Sequence, residues 1–290
     1  PISIDIEDNN TSVTYVLQYK ISSATEWTEV GDLTEASFPY ILSADFGTSY
    51  QIRVAAVCSD GERTAFVSAA NLATPCAVLT APWSETFETT PFTTANCWQR
   101  KSGLFTANGS IQTSDLSDVS IGWGYDDNRL IDGVAAGRLK LNIYGTGRKH
   151  WAITPSIDLG DGSTAYKLAF NLALTKYGNS NPPEETTGDD KFAVLVSADN
   201  GQSWNAANAI IFADGDADTQ HNFSDLTNSP TRVVFKLVNS DNTPLSGLVK
   251  FAFYGESTVS GGDNECFVYN LEVSEWDDCI APYNVRAENV

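Results

Sequence analysis

The sequence predicts an all-β protein, built as a small antiparallel sandwich followed by a larger one. Three observations carry this. Apolar and polar side chains alternate with the two-residue period of half-buried strands. No window holds a long 3.6-residue repeat, so no βαβ unit is expected. Aromatics make up 11% of the chain and 21 of its 290 residues are glycine, the composition of short strands joined by tight turns.

The elements follow in order. TYVLQYK (14–20) reads as a strand, and in 50–56 the residues Tyr50, Ile52, Val54 and Ala56 share one face. TPCAVLTAP (74–82) is Pro-rich and follows a completed strand pattern, so it reads as a domain boundary. Within 165–174 one face carries Tyr166, Leu168, Phe170, Leu172 and Leu174. GNSNPPEETTGDD (178–190) has no apolar residue and reads as a long polar loop. SADNGQSW (197–204) is a hairpin signal, because Asn200 and Gly201 tolerate positive φ. Val233, Phe235 and Leu237 share a face, as do Val249, Phe251 and Phe253. DCIAP (278–282) repeats the Cys-to-Ala-Pro pattern of the first linker.

Lys and Arg number 17 against 37 Asp and Glu, a net charge of −20. Such a chain repels phosphate backbones and anionic lipid, which excludes nucleic-acid partners and surface binding to membranes. No apolar run approaches the roughly 20 residues of a spanning helix, so membrane insertion is not expected. A chain without methionine is expected to be an internal or processed piece of something longer.

Catalytic signals are weak. G-x-S-x-G does not occur, and His150 and His221 have no visible partners. His150 is expected on the surface at a strand edge and His221 in an exposed loop. The adjacent carboxylates Asp126-Asp127, Glu184-Glu185, Asp189-Asp190 and Asp277-Asp278 carry little weight in a chain with 37 of them. SADNGQSW also matches the Asp-box of sialidases, a turn element in which Asp199 accepts backbone N–H bonds while Trp204 packs beneath. Trp123 and Tyr125, in IGWGYDDNR, and Tyr177, at the edge of the polar loop, are the candidate ligand platforms. Flat aromatics beside carboxylates and amides stack on sugar rings. The alternative for Trp123 is a plug at the sandwich edge; Trp98 and Trp151 are expected in the core. The five cysteines show no C-x-x-C spacing and point to an oxidising compartment.

Two resemblances sharpen these expectations. TYVLQYK, Trp27 and FGTSYQIRVAAVC (46–58) resemble a fibronectin type III domain, over 1–75, with its first strand missing. APYNVRAENV (281–290) resembles the first strand of a following module of that kind, over 280–290. Between them, 76–279 resembles the cleaved-adhesin, MAM-like jelly rolls of bacterial haemagglutinin and gingipain adhesin regions. SETFE (84–88), the Cys97-Trp98 pair, HWAITPSIDLGDGSTAYKLAFNLAL (150–174), DDKFAVLVSADNGQSW (189–204), VKFAFYG (249–255) and CFVYNLEVS (266–274) carry that match.

The resemblance implies a non-catalytic adhesion module of a secreted or surface-anchored bacterial protein, binding glycan or an extracellular protein and abutting neighbouring modules of its own chain. The alternatives are a structural spacer or filament subunit, or an accessory region of a secreted protease or glycosidase. It also implies a Cys76–Cys97 disulfide, with Cys97–Cys266 the competing pair. Cys58 and Cys279 would then have lost partners with the neighbouring modules. Finally it implies one structural calcium ion held by Glu88, by Asp190 with Asp189 beside it, and by the final strand. There Asn270 replaces the usual Asp with an uncharged carbonyl.

Overall fold

The computed structural model describes residues 1–7, 12–106, 109–186, 188–214 and 220–277. Cys279, Asp278 and the segment 280–290 lie outside them. The described chain is all-β, its helical content limited to four three-residue 3-10 turns. It divides into two compact units, residues 1–77 with 94–96, and 78–93 with the chain from Cys97 on.

In the first unit, β1 (Ile2–Ile4) pairs with β4 (Tyr40–Leu42) in a two-stranded sheet. The second sheet runs β3 (Thr28–Leu33), β2 (Thr14–Ile21), β5 (Ser49–Val57) and β6 (Val67–Ser68), with β7 (Leu72–Ala73) also on β5. Ile2, Ile4, Tyr15, Leu17, Leu42, Tyr50 and Ile52 form the core. Tyr50 points inward as its alternation predicts, and its hydroxyl accepts from the Asp45 N–H at 3.1 Å. Arg53, one step along the other face, lays its guanidinium over Trp27 at 3.9 Å.

In the second unit one sheet runs β13 (Gly124–Asp126), β16 (Arg138–Ile143), β25 (Asn264–Glu275), β19 (Tyr166–Lys176) and β23 (Thr231–Leu237), with β9 (Trp83–Glu85) beside the far end of β25. The other centres on β24 (Leu248–Ser257), which pairs on one edge with β17 (Arg148–Ile153) and on the other with β20 (Lys191–Ser197). β10 (Gln99–Ser102) and β12 (Ser117–Asp118) extend it beyond β17, and β22 (Ala209–Ala213) extends it beyond β20. β18 (Ile157–Asp158) joins β24 and takes β8 (Leu79–Thr80) alongside in parallel. Two short ribbons complete the set, β11 (Ser110–Gln112) with β21 (Ser203–Asn205), and β14 (Leu130–Ile131) with β15 (Val134–Ala135).

The alternating faces meet between these sheets: Leu168, Phe170, Leu172 and Leu174 from β19, Val249, Phe251 and Phe253 from β24. Each such side chain contributes about 1.5–3 kcal/mol by leaving water. The β24 sheet is also covered on its other face by a second cluster, in which Trp151 and Trp204 are fully buried with Phe105 and Tyr254 around them. This double burial explains why β20 reads as a continuous apolar run, Phe192 to Val196.

The turn in SADNGQSW forms as read, with Asn200 at φ 60° and Gly201 at φ 81°. Asp199 accepts from the Gln202 and Ser203 N–H groups, each at 3.0 Å. Its outgoing strand, however, pairs with β11 rather than returning along β20. Trp204 is needed over Trp151, 6.0 Å away between ring centres, and that requirement draws β21 across the sheet face. Cys76 and Cys97 are both disulfide-bonded while Cys58 and Cys266 are free thiols, so the two pair with each other and Cys97–Cys266 does not form.

Candidate functional site

The site forms at one end of the β13–β16–β25–β19–β23 sheet. Ile143, the last residue of β16, and Lys176, the last residue of β19, both pair with Asn264 at the start of β25. Each strand then ends in the same dipeptide, Tyr144-Gly145 and Tyr177-Gly178. Gly145 at φ 87° and Gly178 at φ 74° turn the chain away immediately, a conformation that side chains other than glycine rarely adopt. The two tyrosines thus leave the sheet two strand spacings apart, roughly 10 Å. Tyr144 is 39% exposed and Tyr177 54%.

A continuous set of hydrogen bonds joins them. Arg148 donates from Nε to the Tyr144 carbonyl at 3.2 Å and from Nη2 to Asn142 Oδ1 at 3.2 Å. Asn142 Nδ2 donates to Asp263 Oδ1 at 2.7 Å, and the Tyr177 N–H donates to the Asp263 carbonyl at 2.8 Å. The Asp263 N–H donates to Glu184 Oε2 at 3.0 Å, and Glu184 holds Lys176 at 2.5 Å. The hydrogen bond from Lys176 holds the Glu184 carboxyl below the usual range. Glu184 belongs to the long polar loop, so that loop is tied back to the sheet: the Asn264 side chain bonds both the N–H and the carbonyl of Glu184.

Behind Tyr177 lies an ionic cluster shielded from water. Arg129 pairs with Glu265 at 2.5 Å, with side chains only 10% and 4% exposed. Glu265 also accepts from the Gly178 N–H at 3.1 Å, and Arg129 donates to the Asn179 carbonyl, so both grip the Tyr177–Asn179 turn. Lys140 bridges Glu265 at 3.6 Å and Asp126 at 3.0 Å. Burial would raise the Asp126 carboxyl, but the Arg129 N–H, the Lys140 ammonium and the Asn128 N–H together hold it below the ordinary range. Buried charges carry a large desolvation cost unless paired and hydrogen-bonded, and here each one is.

The sequence-predicted platforms separate. Tyr177 lies in this rim. Trp123 does not: it is 1% exposed, donates its indole N–H to the His150 carbonyl at 3.1 Å and meets Phe192 edge-on at 6.4 Å. A ring with no exposed face cannot stack on a ligand, so the plug reading of Trp123 is the correct one. Tyr125 is half-buried and pairs with Leu139, four residues along β16 from the rim, its hydroxyl donating to the Glu88 carbonyl at 3.2 Å. Tyr144 was missed: Tyr177 is marked by the long polar loop 178–190 that it borders, whereas Gly145, Thr146 and Gly147 after Tyr144 bring no carboxylate or amide side chain.

The proposed calcium ligands are not gathered. Glu88 is exposed beside Tyr125, and Asn270 sits at φ 49° in an irregular stretch of β25. Asp189 lies toward the Tyr144 end of the other sheet, where its Oδ2 accepts from the Thr258 N–H at 2.5 Å and the Val259 N–H at 2.8 Å. Asp190, next to it, is 2% exposed. Among the described residues no group of three or more His, Cys, Asp or Glu is placed to hold a metal ion.

The histidines also differ from expectation in one case. His150 is 7% exposed, because β17 is an interior strand between β10 and β24 rather than an edge. Burial, then the Arg148 charge, lowers its pKa, and Nδ1 has no hydrogen-bond partner among the described residues. His221 is exposed, as expected, with its ring stacked on Phe212 at 4.6 Å beside a groove of about 220 Å³.

No family model matches the chain, and no curated protein does. Loose structural likenesses exist. One is to a carbohydrate-binding module specific for non-crystalline cellulose, CBM28, at 14% identity over 68% of this chain and 99% of that one, with a TM-score of 0.37. Another is to CBM27-1 of Caldicellulosiruptor saccharolyticus, solved with mannohexaose, at 12% identity over 67% and 96%, with a TM-score of 0.35. A third is to the enzymatically active domain of Bacteriophage CBA120 tailspike protein 4, at 12% identity and a TM-score of 0.34; it covers 62% of this chain but only 19% of that one. At these scores the likenesses decide nothing about function.

Proposed function

We propose that the second unit is a non-catalytic glycan-binding module of a secreted or surface-exposed protein, and that Tyr144 and Tyr177 are its sugar platforms. The observation that carries this is the hydrogen-bonded rim. Two exposed tyrosines stand roughly 10 Å apart, their backbones fixed through Arg148, Asn142 and Asp263 before any ligand arrives. Aromatic faces supply stacking area, and the amide, carboxylate and guanidinium groups between them match the hydroxyls of a sugar.

Several features weigh against hydrolysis. A glycosidase acid needs a raised pKa, whereas Asp126 is held low by the Arg129 N–H together with the Lys140 ammonium, and Glu184 by Lys176. Glu85 is raised by burial, but it accepts from the Phe87 N–H at 2.7 Å and lies away from the rim. The Cys76–Cys97 disulfide supports an oxidising compartment, and the adhesin resemblance supports the same setting. A glycan array probed with the whole chain tests the proposal; the expected result is binding to extended oligosaccharides, lost on Tyr144→Ala or Tyr177→Ala.

A further inference from the structure

The groove beside His221 does not end there. It runs between β22 and β23, the margins of the two sheets of the second unit, with Ile210 and Phe212 on one side and Thr231 and Val233 on the other. A wider trough of about 720 Å³ continues it, lined by Pro182, Pro183, Glu184, Asp214 and Thr227; Asn222 and Leu226 line both. Glu184 is the loop residue held in the tyrosine rim by Lys176 and the Asp263 N–H. One continuous trough therefore leads from the rim to His221. Its walls are fixed: the Leu174 N–H donates to the Thr227 carbonyl at 2.8 Å, Asn228 Nδ2 donates to the Ser180 carbonyl at 3.0 Å, and Ser224 Oγ donates to Asp214 at 2.8 Å. His221 is fixed as well. Its N–H donates to the Ile211 carbonyl at 3.3 Å, its carbonyl accepts from the Ala213 N–H at 3.0 Å, and one face of its ring lies on the buried Phe212. The residue is exposed and lines the groove, so the other face of the ring is open to it.

We infer that this trough extends the glycan site, with His221 as a third platform, and that the glycan it takes is an uncharged linear oligosaccharide. The inference rests on the reading of Tyr144 and Tyr177 as sugar platforms. A ring ordered in advance, with one face free, does at the far end of the trough what Tyr177 does at the near end. Between them the hydroxyl and amide groups of Asn222, Ser224, Thr227 and Thr231 suit sugar hydroxyls. The charges select the ligand. Glu184, Glu185, Asp214 and Asp225 line the trough. Arg232 is the only cation among the described residues lining it, and it is committed to Glu272 at 2.5 Å and to the Asn270 carbonyl at 2.8 Å. A glycan bearing carboxylate or sulfate meets like charge here without a free counter-charge. Neutral sugar hydroxyls instead donate to these carboxylates, and hydrogen bonds to an ionised acceptor are the stronger kind.

An array of neutral oligosaccharide ladders and heparin oligosaccharides, followed by calorimetric titration of the best neutral ladder as disaccharide and as octasaccharide, tests this on the whole chain. The expected result is preference for a neutral ladder, with the octasaccharide bound on the order of tenfold tighter than the disaccharide. His221→Ala should erase that gain and leave disaccharide affinity unchanged, His221→Phe should keep the gain by keeping a flat ring, and Tyr177→Ala should weaken both lengths. Binding that depends on Tyr177 but shows no gain with length, or a gain that survives His221→Ala, overturns this inference and leaves the rim reading standing. Preference for heparin oligosaccharides overturns it too. An array with no bound glycan, or binding indifferent to Tyr144→Ala and Tyr177→Ala, overturns the rim reading and this inference with it.

Discussion

Tyr144 and Tyr177 are joined through four hydrogen bonds: Tyr144 carbonyl to Arg148, Arg148 to Asn142, Asn142 to Asp263, and Asp263 to the Tyr177 N–H. Both ends of this path are backbone atoms, so the path fixes where each ring is presented rather than what the ring touches. Ordering the two turns in the free protein removes an entropic cost that binding would otherwise carry.

The Arg129–Glu265 pair anchors the Tyr177 turn, and its removal tests that role. Glu265→Gln leaves Arg129 buried without its counter-charge and weakens the hold on the Gly178 N–H. Breaking a buried pair from one side costs about 3–5 kcal/mol. Urea denaturation should show a loss of that size, and glycan affinity should fall under conditions where the variant is still folded.

Trp123→Ala should act on stability alone. The ring is fully enclosed against Phe192, and large-to-small changes at such sites cost about 3–5 kcal/mol. Differential scanning calorimetry should show the drop; unchanged stability with lost sugar binding would return Trp123 to the ligand site.

The fold was legible in the sequence because alternation reports burial directly: the faces read from 165–174 and 247–255 are the faces that meet in the core. The site was only half legible. Trp123 and Tyr177 carry the same local signal, an aromatic beside glycine and carboxylates, and local signals do not report which side of a sheet a turn folds onto. Tyr144 and Tyr177 are 33 positions apart in sequence and become neighbours only because Ile143 and Lys176 share Asn264 as a partner. His150 was misplaced for a related reason: strand order, which makes β17 interior, is a long-range property.

The Cys76–Cys97 bond closes a loop of about 20 residues, which in the chain-entropy model stabilises by roughly 3 kcal/mol. Cys76→Ser/Cys97→Ser should lower the unfolding free energy by that amount, and reductant should have the same effect on the unaltered chain and none on the variant. Cys266, fully buried with its thiol pKa pushed up by burial, should stay unreactive to alkylating reagents until the chain unfolds.

His150 makes stability pH-dependent. Its pKa is lowered from 6.5 in the folded state, first by burial and then by Arg148. The unfolded chain therefore binds a proton that the folded one rejects. The contribution of the neutral imidazole is fully present above pH 6.5 and is lost as pH falls through and below that value toward the folded pKa. Melting temperatures at pH 7.5 and 5.5 should differ more for the unaltered chain than for His150→Gln.

The most direct test of glycan binding at the two-tyrosine rim is calorimetric titration of an array-selected oligosaccharide into the whole chain and into Tyr144→Ala/Tyr177→Ala. If each platform contributes on the order of 1 kcal/mol, the double variant loses at least tenfold in affinity. Its melting temperature should stay within about 2 °C, since both rings are exposed and surface substitutions change stability little. Equal affinity in the two proteins, or no oligosaccharide bound by the unaltered chain, would contradict the account.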